Sequence, residues 1–235
     1  MNGRLALVAS WLIVCLAAGR SAQAQGAGAP APARVEVSAS FGVDGGTKFG
    51  DRDATLTANG AGRTADSFVL FHTSTQMRRA GVVSGRLAIA LGRGLAVEGA
   101  MSLNRPSVVT TVQSDVERSG TTFMLDQRLS RYSFEGSVLL HLRALRFAGG
   151  RGLPFVDAGG AYLRDVDDGH ALIESGRSFH AGAGVKYYFL ARRDRFLKAA
   201  GLRVQGRMEM ISRGFNPAGK ARRRGGGAAG VFFGF

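Results

Sequence analysis

The sequence predicts an all-β fold, a single closed, antiparallel, up-and-down β-barrel of about eight strands. Three observations predict it. Apolar residues recur with a period of two in eight separate runs. The connections between runs alternate short and long along the chain. The last run, Val231-Phe232-Phe233-Gly234-Phe235, ends the chain on an aromatic residue.

Each segment follows in order. Arg4 precedes an apolar stretch from Leu5 to Ala18, and Ala22-Gln23-Ala24 has the small residues of a cleavage site. Residues 1–24 therefore read as a cleavable secretory signal, too short in its apolar part to serve as a spanning helix. Cys15 lies inside that stretch and follows Val14, where a lipidated cysteine needs a small residue. Cleavage after Ala24 leaves no thiol, which excludes disulfide scaffolds, zinc–thiolate sites and cysteine nucleophiles. It also removes Arg4 and Arg20, so the formal charge of +14 falls by two and stays strongly basic. Residues 25–34, rich in Ala, Gly and Pro, read as a linker, and 35–235 as the barrel domain.

The first run alternates Val35, Val37, Ala39, Phe41 and Val43 with Glu36, Ser38, Ser40 and Gly42. The second is Leu87, Ile89 and Leu91, opposite Arg86. The third is Leu95, Val97, Met101 and Leu103, opposite Glu98. Tyr132, Phe134, Val138 and Leu140 oppose Ser133, Glu135 and His141; Val156, Ala158 and Tyr162 oppose Asp157. Phe179, Val185, Tyr187 and Phe189 oppose His180 and Lys186. Leu202, Val204, Met208 and Met210 oppose Arg203, Arg207 and Glu209, and the terminal run closes the set. Each run is near the ~9–11 residues that a tilted strand needs to cross a bilayer.

Gly92-Arg93-Gly94, 143–153 and 191–197 are the short connections; 44–83, 104–131, 165–178 and 212–227 are the long ones. This alternation is that of barrels with short periplasmic turns and long extracellular loops. Residues 68–72 are apolar enough for an extra strand or a loop across the mouth. Residues 108–112 and 121–129 extend a hairpin, with Pro106 as an interruption.

Alternation alone also fits a soluble barrel or sandwich. The non-apolar face argues otherwise: Arg86, Glu98, Glu135, Asp157, His180, Lys186, Arg203, Arg207 and Glu209 sit among many Gly, Ala and Ser. An eight-stranded barrel has a lumen that side chains alone fill, and charges of both signs must pair there. These nine are the candidate lumenal network. The expectation is apolar side chains toward lipid, with Tyr132, Tyr162, Phe179, Phe189 and Phe235 as interfacial girdles.

With the signal, the alternating connections and the final aromatic strand, the chain resembles the small outer-membrane barrels typified by the transmembrane part of OmpA and by OmpX. The resemblance covers nearly all of 35–235 and rests on architecture and the terminal strand. It implies a bacterial outer-membrane location and an anchoring or surface-interaction role. It also implies that Val231, Phe233 and Phe235 form the signal read by the barrel-insertion machinery. The chain departs from it in being basic and in having no periplasmic domain after the barrel.

Little chemistry is legible. His72, His141, His170 and His180 are scattered without a metal-ligand spacing, and no G-x-S-x-G occurs. His72-Thr73-Ser74 has the spacing of a lipid A-deacylating pair but falls in a predicted loop with no suitable acid nearby. Asp165, Asp167 and Asp168 read as a solvated loop cluster rather than a cation site. Lys220, Arg222, Arg223 and Arg224 are candidate contacts to lipopolysaccharide phosphates at the outer rim, since guanidinium forks match phosphate oxygens. The expectation is a non-enzymatic monomer without cofactor or metal, in contact with outer-membrane lipid and not with nucleic acid. A narrow porin-like channel is the second reading and a lipid A-modifying enzyme the third.

Overall fold

The computed structural model describes residues 33–57, 67–92, 94–113, 122–167, 173–192, 195–213 and 221–235. Residues 1–32, which hold the expected signal and most of the expected linker, lie outside them, as do Lys220, Asp168 and His170.

Among the described residues the chain forms eleven strands: β1 Val35–Asp44, β2 Thr47–Thr57, β3 Ser67–Met77, β4 Ala80–Gly92, β5 Leu95–Asn104, β6 Ser107–Gln113, β7 Phe123–His141, β8 Gly152–Asp167, β9 Ile173–Ala191, β10 Ala199–Arg213 and β11 Arg222–Gly234. Eight of them close a barrel in the order β7-β5-β4-β1-β11-β10-β9-β8, with β8 returning to β7. All its pairings are antiparallel. The seam between first and last strands is sealed from Glu36↔Gly234 to Asp44↔Gly226. The helical elements among the described residues are two short 3-10 turns, Arg143–Leu145 and Ala148–Gly150.

The remaining strands continue the barrel wall past its far end, opposite the chain termini. β1 runs on into β2 across Gly45-Gly46, β4 is reached from β3 across Arg78-Arg79, and β5 runs into β6 across Arg105-Pro106. Proline has no N–H for the ladder, which breaks the fifth strand where the sequence interrupts it. β2, β3, β6 and the start of β7 form a four-stranded sheet. Two long connections expected after the first and third runs are therefore this sheet rather than loops. Residues 68–72 lie in β3, and 108–112 with the start of β7 form the extended hairpin.

Side-chain direction follows the two-residue period. Leu87, Val97 and Val204 point outward, 48%, 44% and 57% exposed, and so do Phe41, Val83, Phe134, Val138, Met208 and Phe233. The charged residues that alternate with them point inward; Glu98 is 2% exposed and Lys186 1%. Such a surface is stable only where hydrocarbon replaces water. An Arg at position 204, midway along the outer face of β10, is expected to lower stability in phospholipid vesicles by about 2–4 kcal/mol. Urea titration of the folded fraction checks this; an unchanged midpoint would place that face in water.

Candidate functional site

The barrel's buried polar chemistry is gathered in its lumen. Alternation aims one residue in two inward, and the structure brings all nine candidate network residues there. Glu98, on β5, accepts a hydrogen bond from Arg86 Nη1 on the neighbouring β4 at 2.9 Å. It also accepts from Nη1 and Nη2 of Arg203, the second at 3.1 Å. β10, which carries Arg203, stands four strands from β5 in a ring of eight, on the opposite wall. The pair therefore spans the bore.

Arg203 Nη2 also donates to Gln205 Oε1 at 2.8 Å, and Gln205 Nε2 donates to Asp157 Oδ1 at 2.8 Å. His180 Nε2 lies 3.6 Å from the other Asp157 oxygen. Arg207 Nη1 donates to Glu135 Oε2 at 2.7 Å, which joins β10 to β7. Toward the terminal end, Lys186 Nζ donates to both Glu36 oxygens at 2.7 and 2.8 Å and sits 5.8 and 5.6 Å from the ring centres of Phe155 and Phe232. The Arg203 guanidinium lies 4.7 Å from the Phe155 ring centre, so the layers interlock.

Further partners escaped the sequence reading. Arg131 grips Asp165 with two parallel bonds, 2.6 and 2.8 Å. Arg224 Nε donates to Glu209 Oε2 at 2.5 Å, and its Nη2 is 3.3 Å from Asp44 Oδ2. Ser178 Oγ donates to the other Glu209 oxygen at 2.6 Å, and Asn104 Nδ2 to Asp44 at 2.6 Å. Glu36 was legible in principle, because it alternates with Val35 and Val37. Arg131 and Asp165 were not, since the strands run past the ends of the apolar pattern.

Apolar clusters flank this network. Ala96, Leu139 and Phe155 cluster toward the terminal end, and Phe49, Met77, Val108 and Leu129 toward the far end. The space left among Asp44, Ser84, Arg86, Gln205 and Arg207 is about 10 Å³, about the volume that a single water centre occupies. At that level of the lumen, side chains leave room for about one water.

Three expectations need correction. Arg224 does not reach an outer rim: it is 7% exposed and points into the lumen, because β11 begins at Arg222 and the alternation carries Arg224 inward while Arg223 points out. Arg222 lies over the Phe49 ring, its guanidinium carbon 4.0 Å from the ring centre. Asp165 is no loop acid but a buried residue of β8, and among the described residues no three His, Cys, Asp or Glu could hold a metal. His72 lies in β3, and its Nδ1 is 2.5 Å from Asp53 Oδ1 on β2, so an acid is near it. Ser74 pairs across the ladder with Asp51, and no described hydrogen bond joins its hydroxyl to the imidazole.

At the seam, Val231 and Phe233 point outward, 40% and 41% exposed. The Phe235 N–H donates to the Val35 carbonyl at 2.8 Å, tying the last residue to the first strand.

No protein-family model matches the chain, and no curated protein matches it. Solved structures do. Neisserial surface protein A is 13% identical, with 86% of this chain and 97% of that one covered at a TM-score of 0.49. The outer membrane protein OprG from Pseudomonas aeruginosa is 8% identical, with 88% and 98% covered at 0.47. Ail, the attachment invasion locus protein of Yersinia pestis, is 13% identical, with 87% and 100% covered at 0.36. The fold itself stands on the chain's own strand order: an eight-stranded, closed, antiparallel barrel with apolar residues outside and paired charges within.

Proposed function

We propose that this chain is a structural or surface-interaction protein of the bacterial outer membrane, with its four-stranded extension on the outside of the cell. The observation that carries the reading is the bond between opposite walls, Arg86–Glu98–Arg203, which crosses the bore. A barrel braced across its axis is a rigid stand for what it holds above the membrane. The extension is what it holds, and it exposes the polar Asp51, Asp53, His72 and Ser74 together with the apolar Val69, Met124 and Leu125. In this reading the chain works as a monomer without cofactor or catalysis, is inserted through Val231, Phe233 and Phe235, and lies among lipopolysaccharide.

Planar-bilayer recording tests it. The folded barrel is expected to give no sustained openings, since ions would have to displace paired charges from a water-sized space. Reproducible unitary conductance that vanishes on neutralising Glu135 or Arg203 would replace this reading with the channel. Unmodified lipid A in the protein's presence, read by mass spectrometry, is the matching expectation against enzyme activity.

A further inference from the structure

We infer that Lys48, Arg78 and Arg79 form a binding site for a phosphate monoester carried by an outer-leaflet lipid. The inference rests on the outer-membrane reading above and deepens it. Where β1 passes into β2 and β3 into β4, the two junctions lie side by side and leave a cleft of about 420 Å³. That is within the ~300–1,000 Å³ of ordinary ligand sites. All three cations line it, and all three are exposed. The ion pairs among the described residues include none of them.

Three like charges gathered round one hollow repel one another unless an anion joins them. The lumen shows the opposite practice, with its cations bonded to carboxylates.

The backbone holds this cluster together. A Cβ on Gly46 would fall 2.7 Å from the Met77 carbonyl oxygen and 3.3 Å from the Arg79 nitrogen, so only glycine lets the junctions meet. The Arg78 N–H donates to the Ser107 carbonyl at 2.8 Å, anchoring that junction to β6 as well. Lys48 stands opposite Gln76 in the ladder, on the face turned away from Phe49 and Met77.

Height selects the ligand's source. Phe41 and Val83, paired one strand segment below, are 64% and 59% exposed on the apolar face. The cleft begins where that face of β1 and β4 ends, which the outer-membrane reading puts at the level of lipid headgroups. Two guanidinium forks and an ammonium suit phosphate oxygens there. Basicity alone does not single it out, since the terminal-end rim carries exposed Arg143, Arg151 and Arg192; the convergence of three unpaired cations on one cleft does.

The test uses the mature barrel folded in phosphatidylcholine nanodiscs and native mass spectrometry. The probes are bis-phosphorylated lipid A, the same lipid stripped of phosphate, and soluble glucosamine 1-phosphate. Wild type is expected to prefer the phosphorylated lipid by about tenfold or more, the worth of one charge-assisted bond. K48A/R78A/R79A is expected to lose that preference, R78K/R79K to keep part of it, and R143A/R151A/R192A, equal in charge lost, to keep it whole. Retained preference in the first triple, or equal loss in the last, overturns the site. Glucosamine 1-phosphate binding as tightly as the lipid overturns the lipid source. Heat-modifiable migration in phosphatidylcholine alone is read first: a barrel that folds there but ignores phosphate loses only this site, whereas one that does not fold loses the membrane reading.

Discussion

Glu98→Ala is expected to cost about 3–5 kcal/mol of stability, the usual penalty for removing one partner of a buried ion pair. The reason lies in the arrangement. One carboxylate serves Arg86 from its own side of the barrel and Arg203 from the opposite wall. Without it, two guanidiniums face each other in the lumen, and the space beside Arg86 is about 10 Å³.

The mature chain has no tryptophan if cleaved after residue 24, because Trp11 is the single one. Urea titration of the heat-modifiable species on a gel is therefore the measurement. An unchanged midpoint would mean that the cross-lumen bonds contribute nothing. The triple variant R86M/E98L/R203M sharpens the test: it removes the three bonded charges together and is expected to recover most of the loss, as apolar replacements of buried ion triads do. Recovery would assign the network to bore closure and specificity rather than to net stability.

Gly230→Val is expected to prevent closure of the barrel. Gly230 lies on β11 opposite Ser40 on β1, at the seam where the last strand meets the first. A Cβ there would fall on the Ala39 carbonyl oxygen, with Ser40 Cβ and Cα at 2.5 and 2.6 Å. These are mostly backbone atoms, which cannot swing away as the end of a long side chain does. Overpacking a core typically costs about 1–3 kcal/mol, and here the strain falls on a ladder with no alternative partner strand. The expected result is loss of the compact, heat-modifiable band. Gly85→Ala on β4 is the control, since a Cβ there meets nothing within 4 Å. Normal folding of Gly230→Val would mean that the seam has slack that its register does not suggest.

Strand polarity was the most legible property of this chain. Runs such as Leu95-Ala96-Val97-Glu98 need only the two-residue period to assign Val97 to one face and Glu98 to the other, and the ring order follows from consecutive antiparallel pairing. The candidate network was readable for the same reason. Legibility failed where the apolar signal stopped before the strand did. Past residue 43 the exposed positions of β2 include Asp51 and Asp53, so the apolar alternation fades while the ladder continues. That is why Arg131, Asp165 and Arg224 read as loop residues and yet lie inside.

Residue by residue, then, the sequence alone determined which side chains face lipid and which face inward, because that choice is local and is set by the pleat. Only the tertiary structure decided who pairs with whom. Arg203 finds Glu98 because tilt and closure bring β10 opposite β5. Arg224 leaves the rim because Glu209 and Asp44 flank it from both neighbouring strands. Lys48 joins Arg78 and Arg79, some thirty residues away, because Gly46 lets two strand junctions touch. Pairings of that kind depend on where the ring closes, and no local pattern carries that information.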